Sequence, residues 1–350
     1  MELITILEQA LKLGGSDIFI VPGSPVEVKV RGRIMPVTEN RLSPSDTDAL
    51  IREAYGLALR DMGLIERTGD DDFSFSVKDL SRFRCNAYKQ RGTLAATCRV
   101  VAFGLPDPNA LGIPAQVIRL TEQRNGMILV TGPAGSGKST TLACMVDTIN
   151  STRSGHIVTI EDPIEYLHRH KKSLVSQREV PTDAASFPGA LRAALRQAPD
   201  VIMLGEMRDT ETIRTAITAA ETGHLVLSSL HTVGASKTVD RIIDAFPAEQ
   251  QAQVRMQLSM VLMAVVSQRL VPAKTGEQQA VFEVMTVNSA IRNMIRDGRT
   301  HQIDNAITAG ASQEMLSMDG ELLRLCKQGV ITRETALLYA ANQELLERKL

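Results

Sequence analysis

The feature that most constrains this chain is a single contiguous stretch. The apolar run MILVTG leads directly into GPAGSGKST, residues 132–140, and an apolar segment follows. The pattern GxxxxGK[ST] is matched in full, and its flanks read as strand before and helix after, the context in which it binds phosphate. Glycines let backbone N–H groups converge on phosphate oxygens, and the helix that follows adds its positive N-terminal end. Gly132, Ala134, Gly135, Ser136, Gly137, Lys138, Ser139 and Thr140 are therefore the candidate nucleotide-binding residues. Lys138 can reach the β- and γ-phosphates, and the Ser139 hydroxyl can hold Mg²⁺. ATP and Mg²⁺ are the implied ligands.

This loop demands a parallel α/β sheet, and the surrounding sequence supplies one. MILVTG, HIVTIE, DVIMLGE and HLVLSSL are short apolar runs suited to buried strands, with helical segments between them. Asp209 to Thr222 reads as a helix with Asp209 as N-cap and Gly223 as its stop. From about Ala248 to the C-terminus the pattern reads as helical throughout, with stops at Gly298 and Gly329. The first hundred residues differ. A helix over residues 3–13 ends at Gly14-Gly15, and VEVKVRGRIMPV alternates apolar and polar as a half-buried strand does. Ser43-Pro44 opens a second helix reaching to about Met62. Phe73 to Val77, Arg82 to Lys89 and Thr93 to Ala102 read as strands. FGLPDPNALGIP, residues 103–114, holds three prolines and two glycines and reads as a linker. The expected organisation is an α+β domain over 1–102, the linker, and a P-loop α/β domain over 115–350 with its helical part at about 248–350.

A phosphate loop binds nucleotide, but hydrolysis also needs an oriented water and a metal shell. HIVTIE ends in Glu161-Asp162-Pro163-Ile164-Glu165, three carboxylates at the C-terminal end of a strand, where ligands sit in open α/β sheets. DVIMLGE ends in Glu206, an acid at the tip of an apolar strand. It is the candidate acid on the metal side, acting on Mg²⁺ with Ser139. Helix capping or solvation is the alternative role for Glu161 and Asp162. His224 and His231 bracket the fourth strand, and His231 is a candidate γ-phosphate sensor.

Composition removes other classes. Lys plus Arg number 39 against 40 Asp plus Glu, a formal charge of −1, so the chain lacks the basic excess of a protein that lives on nucleic acid. Trp is absent and aromatic residues make up 3%, which leaves few stacking platforms for bases. The four cysteines are scattered and form no CxxC pair, so neither a disulfide framework nor a zinc ribbon is expected. The N-terminus lacks a basic n-region, and the longest apolar stretch, Met260 to Val266, falls far short of a spanning helix. A cytoplasmic protein is expected.

Taken together, GPAGSGKSTT, TIEDPIEY, APDVIMLGEMRDTETIRTAITAAETGHLVLSSLHT and AIRNMIRD closely resemble the boxes of the type IV pilus retraction ATPases, within the secretion ATPase superfamily. The resemblance covers nearly the whole chain. It implies a PAS-like N-terminal domain, a RecA-like ATPase domain with a helical C-terminal subdomain, and a cytoplasmic homohexamer that works on an inner-membrane pilus platform protein. It also implies roles. Glu165 would polarise the attacking water, Glu206 would act on Mg²⁺ through water, and His224 and His231 would form the histidine box. Arg84 and Arg99, with Arg82 as a third candidate, resemble arginines that reach nucleotide across the hexamer.

AIRNMIRD also reads physically: Ile291, Met294 and Ile295 share a helical face, while Arg292 and Arg296 form an i,i+4 basic pair. The resemblance makes this a segment needed for retraction after hydrolysis; an amphipathic helix packed on the core is the plainer reading. Asp297 stands where Glu is usual, Ala134 where Thr is usual and Phe19 where His is common, so no role is carried over for that His. Other readings are an assembly or secretion ATPase, an accessory paralogue, a nucleotide-gated scaffold and a DNA-translocating motor. The absence of an added N-terminal domain and of a tetracysteine insert favours retraction over assembly. The near-neutral charge disfavours DNA.

Overall fold

The computed structural model describes residues 2–30, 32–101, 104–310 and 314–350. Arg31 of the alternating run, Ala102 at the end of the third expected strand and Phe103 at the start of the expected linker lie outside them. The chain divides into two compact units. One is the chain up to Gly104 together with Glu165–Leu167; the other comprises Leu105–Ile164 and His168–Leu350.

The first unit runs α1 (Leu3–Lys12), β1 (Asp17–Ile20), β2 (Glu27–Val30), β3 (Arg33–Pro36), α2 (Pro44–Leu57), α3 (Gly63–Thr68), β4 (Asp70–Val77), β5 (Ser81–Gln90) and β6 (Thr93–Val101). The strands form an antiparallel sheet in the order β3-β2-β1-β6-β5-β4. Ser43 caps α2, with its hydroxyl accepting from Asp46 N and the Asp46 carboxylate accepting from Ser43 N, and Pro44 occupies the first helical position. The helix stops at Leu57 rather than Met62, because Leu59 turns to φ +52°, and a separate α3 follows. Among its described residues this unit thus has three α-helices where two were expected.

The second unit contains α4 (Ala115–Arg119), β7 (Gly126–Thr131), α5 (Lys138–Thr152), β8 (His156–Glu161), β9 (Leu174–Glu179), α6 (Phe187–Ala194), β10 (Val201–Leu204), α7 (Thr210–Glu221), β11 (Leu225–Leu230), α8 (Ala235–Asp244) and α9 (Ala248–Val261). There follow β12 (Leu262–Pro272), β13 (Gln278–Thr286), α10 (Ser289–Arg296), α11 (Ile303–Ala309), α12 (Met318–Lys327), α13 (Arg333–Tyr339) and α14 (Gln343–Glu347). The seven strands are ordered β13-β12-β7-β11-β10-β8-β9, parallel except for β13 at one edge. Side chains alternate across the sheet. Met127 and Leu129 of β7 join the core under α6 to α10, while Ile128 and Val130 join the core under α5.

The expectation of an all-helical region from about Ala248 is incorrect. After α9 the chain forms the β12–β13 hairpin, and β12 pairs in parallel with β7. The run LMAVVSQ is buried on both sides in mid-sheet, so it lacks the period-two signature of a half-exposed strand. The C-terminal helices α12 to α14 then pack around Val271 and Val281 of the hairpin. No helix among the described residues is long and apolar enough to cross a membrane.

Candidate nucleotide site

The phosphate loop connects the C-terminal end of β7 to the first residue of α5. It turns on Gly132 at φ +145°, Gly135 at φ +76° and Gly137 at φ +88°, values that favour glycine. At Gly132 there is no room either: a Cβ would meet the Gln268 carbonyl oxygen at 2.2 Å. The helix starts at Lys138 with no side-chain cap and no acid in its first turn, so its positive end is not neutralised locally. Lys138 is buried. Its Nζ donates to the carbonyls of Gly132 at 3.0 Å and Pro133 at 2.9 Å, and burial lowers its pKa although the Glu206 charge opposes this. Ser136 Oγ, Thr131 Oγ1 and Ser228 Oγ are buried without a hydrogen-bond partner. Ser139 is exposed at the start of the helix and Thr140 partly so.

These features fit an anionic phosphate ligand: an uncapped helix start, a turn closed to side chains, an ammonium held at the loop and an orphaned hydroxyl within it. They also fit Mg²⁺ carried by that ligand. No group of three or more His, Cys, Asp or Glu that could hold a metal occurs among the described residues. In phosphate sites Mg²⁺ needs only one or two protein ligands and takes the rest from phosphate and water. Ser139 and, through water, Glu206 are the groups available.

Glu206 follows β10, whose neighbour β11 separates it from the phosphate-loop strand. Its carboxylate is 13% exposed and held from both sides, by Arg208 Nη2 at 2.6 Å and His231 Nε2 at 3.3 Å. The structure thus brings Glu206 and His231 together, on the sheet edge that carries the phosphate loop. It separates His224 from them. His224 precedes β11, which runs parallel to β7, so it lies at the opposite edge, about 20 Å away at the rise of a six-residue strand. Its Nδ1 contacts Ala219 O at 2.9 Å and Thr222 Oγ1 at 3.2 Å, closing the end of α7. The two histidines thus lie at opposite ends of β11.

Glu161 is buried at the end of β8, where its Oε1 accepts from Thr159 Oγ1 at 2.6 Å and Gln177 Nε2 at 3.2 Å. That carboxylate ties β8 to β9. Asp162 is exposed. Glu165 is exposed in the irregular segment after β8 and belongs with the first unit, so the second unit by itself does not bring it to the loop.

In the first unit, Arg84 of β5 and Arg99 of β6 stand directly opposite in register. With Asp17, Asp72, Asn86 and Thr97 they line a groove of about 240 Å³. Arg99 Nε donates to Asp17 Oδ1 at 2.8 Å. Burial raises the Asp17 pKa, but the bonds from Arg99 and Ser16 outweigh it and hold the carboxyl below its usual value. Arg82 lies two residues along β5, opposite Val101. In α10, Ile291 and Ile295 are fully buried in the main core, and Asn288 caps the helix by accepting from Ile291 N at 3.0 Å. Arg296 is exposed and bonds Asn293 and Asp297, while Arg292 is partly buried.

Three residues at the site were not singled out from the sequence: Arg208 on Glu206, Thr141 on the phosphate-loop helix, and Gln268 on β12. Two of them had a sequence signal, Arg208 in the box GEMRD two residues after Glu206 and Thr141 as the last residue of the box GPAGSGKSTT.

A parallel sheet with this loop at the end of β7 and an acid held at the end of β10 defines a P-loop nucleotide-binding protein. Within that class, the chain belongs to the family described as Type II/IV secretion system protein, which matches residues 2–345. It is 44% identical to the type IV pilus retraction ATPase PilT of Pseudomonas aeruginosa, over 96% of this chain and 97% of that one. It is 40% identical to the type IV pilus ATPase PilU of the same organism, over 97% of this chain and 89% of that one. A crystal structure of the pilus retraction motor PilT with bound ADP superposes with a TM-score of 0.88 at 45% identity, covering 99% of each chain.

Proposed function

We propose that this protein is a motor ATPase that hydrolyses ATP to power retraction of type IV pili, and with it twitching motility. The observation that carries this is the 44% identity to a retraction ATPase over 96% of the chain, in a chain whose phosphate loop is intact. Lys138 holds the β- and γ-phosphates, with the loop N–H groups of residues 132–140 around them. Ser139 and Glu206 hold Mg²⁺, Glu206 through water, and when bound Mg²⁺ supplies neutralisation of the phosphate charge. Glu165 polarises the attacking water. His231, resting on Glu206, senses the γ-phosphate. Arg84 and Arg99 of a neighbouring subunit stabilise the charge that spreads over the transferred phosphoryl oxygens, which requires a ring. The working unit is a homohexamer at the cytoplasmic face of the inner membrane, acting on a pilus platform protein, with Arg292 and Arg296 of α10 needed after hydrolysis. No direct contact with nucleic acid is part of this reading.

Similarity to PilU at 40% identity supports a second reading, an accessory motor of the same machine. Steady-state ATPase measurement tests what both share. The wild type should turn over ATP with Mg²⁺ present, and Glu165→Ala should lose nearly all of that rate. A wild type no faster than Glu165→Ala would leave only a nucleotide-gated scaffold.

A further inference from the structure

We propose that Gln268 is a positioning residue of the phosphate loop, and that its side-chain amide sets nucleotide affinity by fixing Gly137 and Thr141. This rests on the nucleotide-binding reading above and names what holds that site in shape.

Gln268 lies on β12 one residue beyond Ser267, which pairs with Thr131 at the end of β7. It is 4% exposed. Its Oε1 accepts from Thr141 Oγ1 at 2.7 Å, a buried bond between residues 127 apart in sequence. Thr141 sits one turn into α5, on the helix face of Lys138 (i, i+3). With Oε1 taken, the amide nitrogen is directed at the loop: Nε2 is 2.8 Å from where a Cβ on Gly137 would stand. The backbone carbonyl of the same residue closes on Gly132, at 2.2 Å from the corresponding Cβ position. One residue therefore packs against both glycines that bracket the loop and bonds the helix the loop starts.

Nε2 donates to no described residue. The amide thus holds the helix by its one hydrogen bond, through Oε1 to Thr141, and holds the loop by packing of Nε2 beside Gly137. The strand that carries it is held from its other face. Ser267 Oγ accepts from Gly234 N at 2.9 Å in the segment after His231, and Arg269 Nη1 donates to Tyr339 O at 2.8 Å. Gln268 thus projects from a fixed strand. Displacing its amide lets Gly137 and Thr141 move, and Lys138 lies between them.

The test uses the full chain and a fluorescent ADP analogue with Mg²⁺, read as an equilibrium dissociation constant, together with melting in the absence of nucleotide. Gln268→Met keeps volume and removes the amide; Thr141→Val removes the hydroxyl; Thr141→Ser keeps it. A one-sided loss of a buried hydrogen bond predicts binding weakened about tenfold in Gln268→Met and in Thr141→Val. Thr141→Ser should bind within about twofold of wild type, and the double variant should be no weaker than either single one, because both remove one interaction. Melting without nucleotide should stay close to wild type for Thr141→Ser and fall less than binding does for the others. Wild-type affinity in Gln268→Met, equal weakening by Ser and Val at position 141, or additive losses in the double variant would each overturn the proposal. A wild type that binds no analogue would overturn the nucleotide reading itself.

Discussion

Truncating Ile291 to Ala tests whether AIRNMIRD is a structural stripe with a separate charged face. Ile291 is fully buried in the largest core of the second unit, where α10 packs on α9. The change removes three carbons, about 2.4 kcal/mol at roughly 0.8 kcal/mol per buried CH₂. A residual cavity raises the loss to about 3–4 kcal/mol, inside the usual range for such truncations. For a unit of this size that corresponds to a fall in melting temperature of roughly 10 °C. Arg296 is the internal control. Its side chain is 48% exposed and its ion pair with Asp297 spans 3.5 Å, so Arg296→Ala should cost under about 1 kcal/mol. Differential scanning fluorimetry on both variants at one pH and salt gives the comparison, with ATPase rates measured on the same preparations. The expected pattern is a large drop in melting for Ile291→Ala, little for Arg296→Ala, and ATP turnover near wild type in Arg296→Ala. A melting change of less than about 2 °C in Ile291→Ala, or equal drops in the two variants, would refute the assignment of the two faces.

Two further outcomes follow from particular side chains. Burial pulls the His168 pKa down to about 4, so the folded chain favours neutral imidazole. Its contribution is complete above the unfolded value near 6.5 and is lost as pH falls toward 4; by pH 5 the loss is about 2 kcal/mol. Thermal melting of the wild type from pH 7.5 to 5 should therefore fall more steeply than that of His168→Gln, and parallel curves would contradict this. Gly132→Ala forces a Cβ against the Gln268 carbonyl at 2.2 Å, so the loop or β12 must shift. It should abolish binding of an ADP analogue at concentrations that saturate the wild type, and titration showing wild-type affinity would exclude the close approach.

The phosphate loop was legible because its chemistry is local: eight contiguous residues, a strand before them and a helix after. Glu206 was legible for a similar reason, as an acid that ends an apolar run. The β12–β13 hairpin was not. A strand buried on both faces carries no alternation, and a seven-residue apolar run cannot be told from a buried helical turn by periodicity. Gln268 was invisible for the same reason and because its partner Thr141 is 127 residues away. The placement of His224 and His231 at the two ends of the fourth strand was legible, because the apolar run between them is extended and carries residues of that spacing to opposite edges of the sheet. Glu161 illustrates the reverse case. Its partner Thr159 is two residues earlier and so on the same strand face, which makes the carboxylate a local acceptor. The opposition of Arg84 and Arg99 follows from hairpin register around residues 91 and 92, a symmetry that their spacing already contained.

The proposed function requires that ATP hydrolysis at this site drive pilus retraction. Its most direct measurement is twitching motility in a strain that assembles pili but cannot retract them, complemented with this chain or with Lys138→Ala at matched expression. Restored twitching zones and reduced surface piliation are expected with the wild type, and neither with Lys138→Ala. Restoration by both chains, or by neither when the wild type is present and hydrolyses ATP, would contradict it.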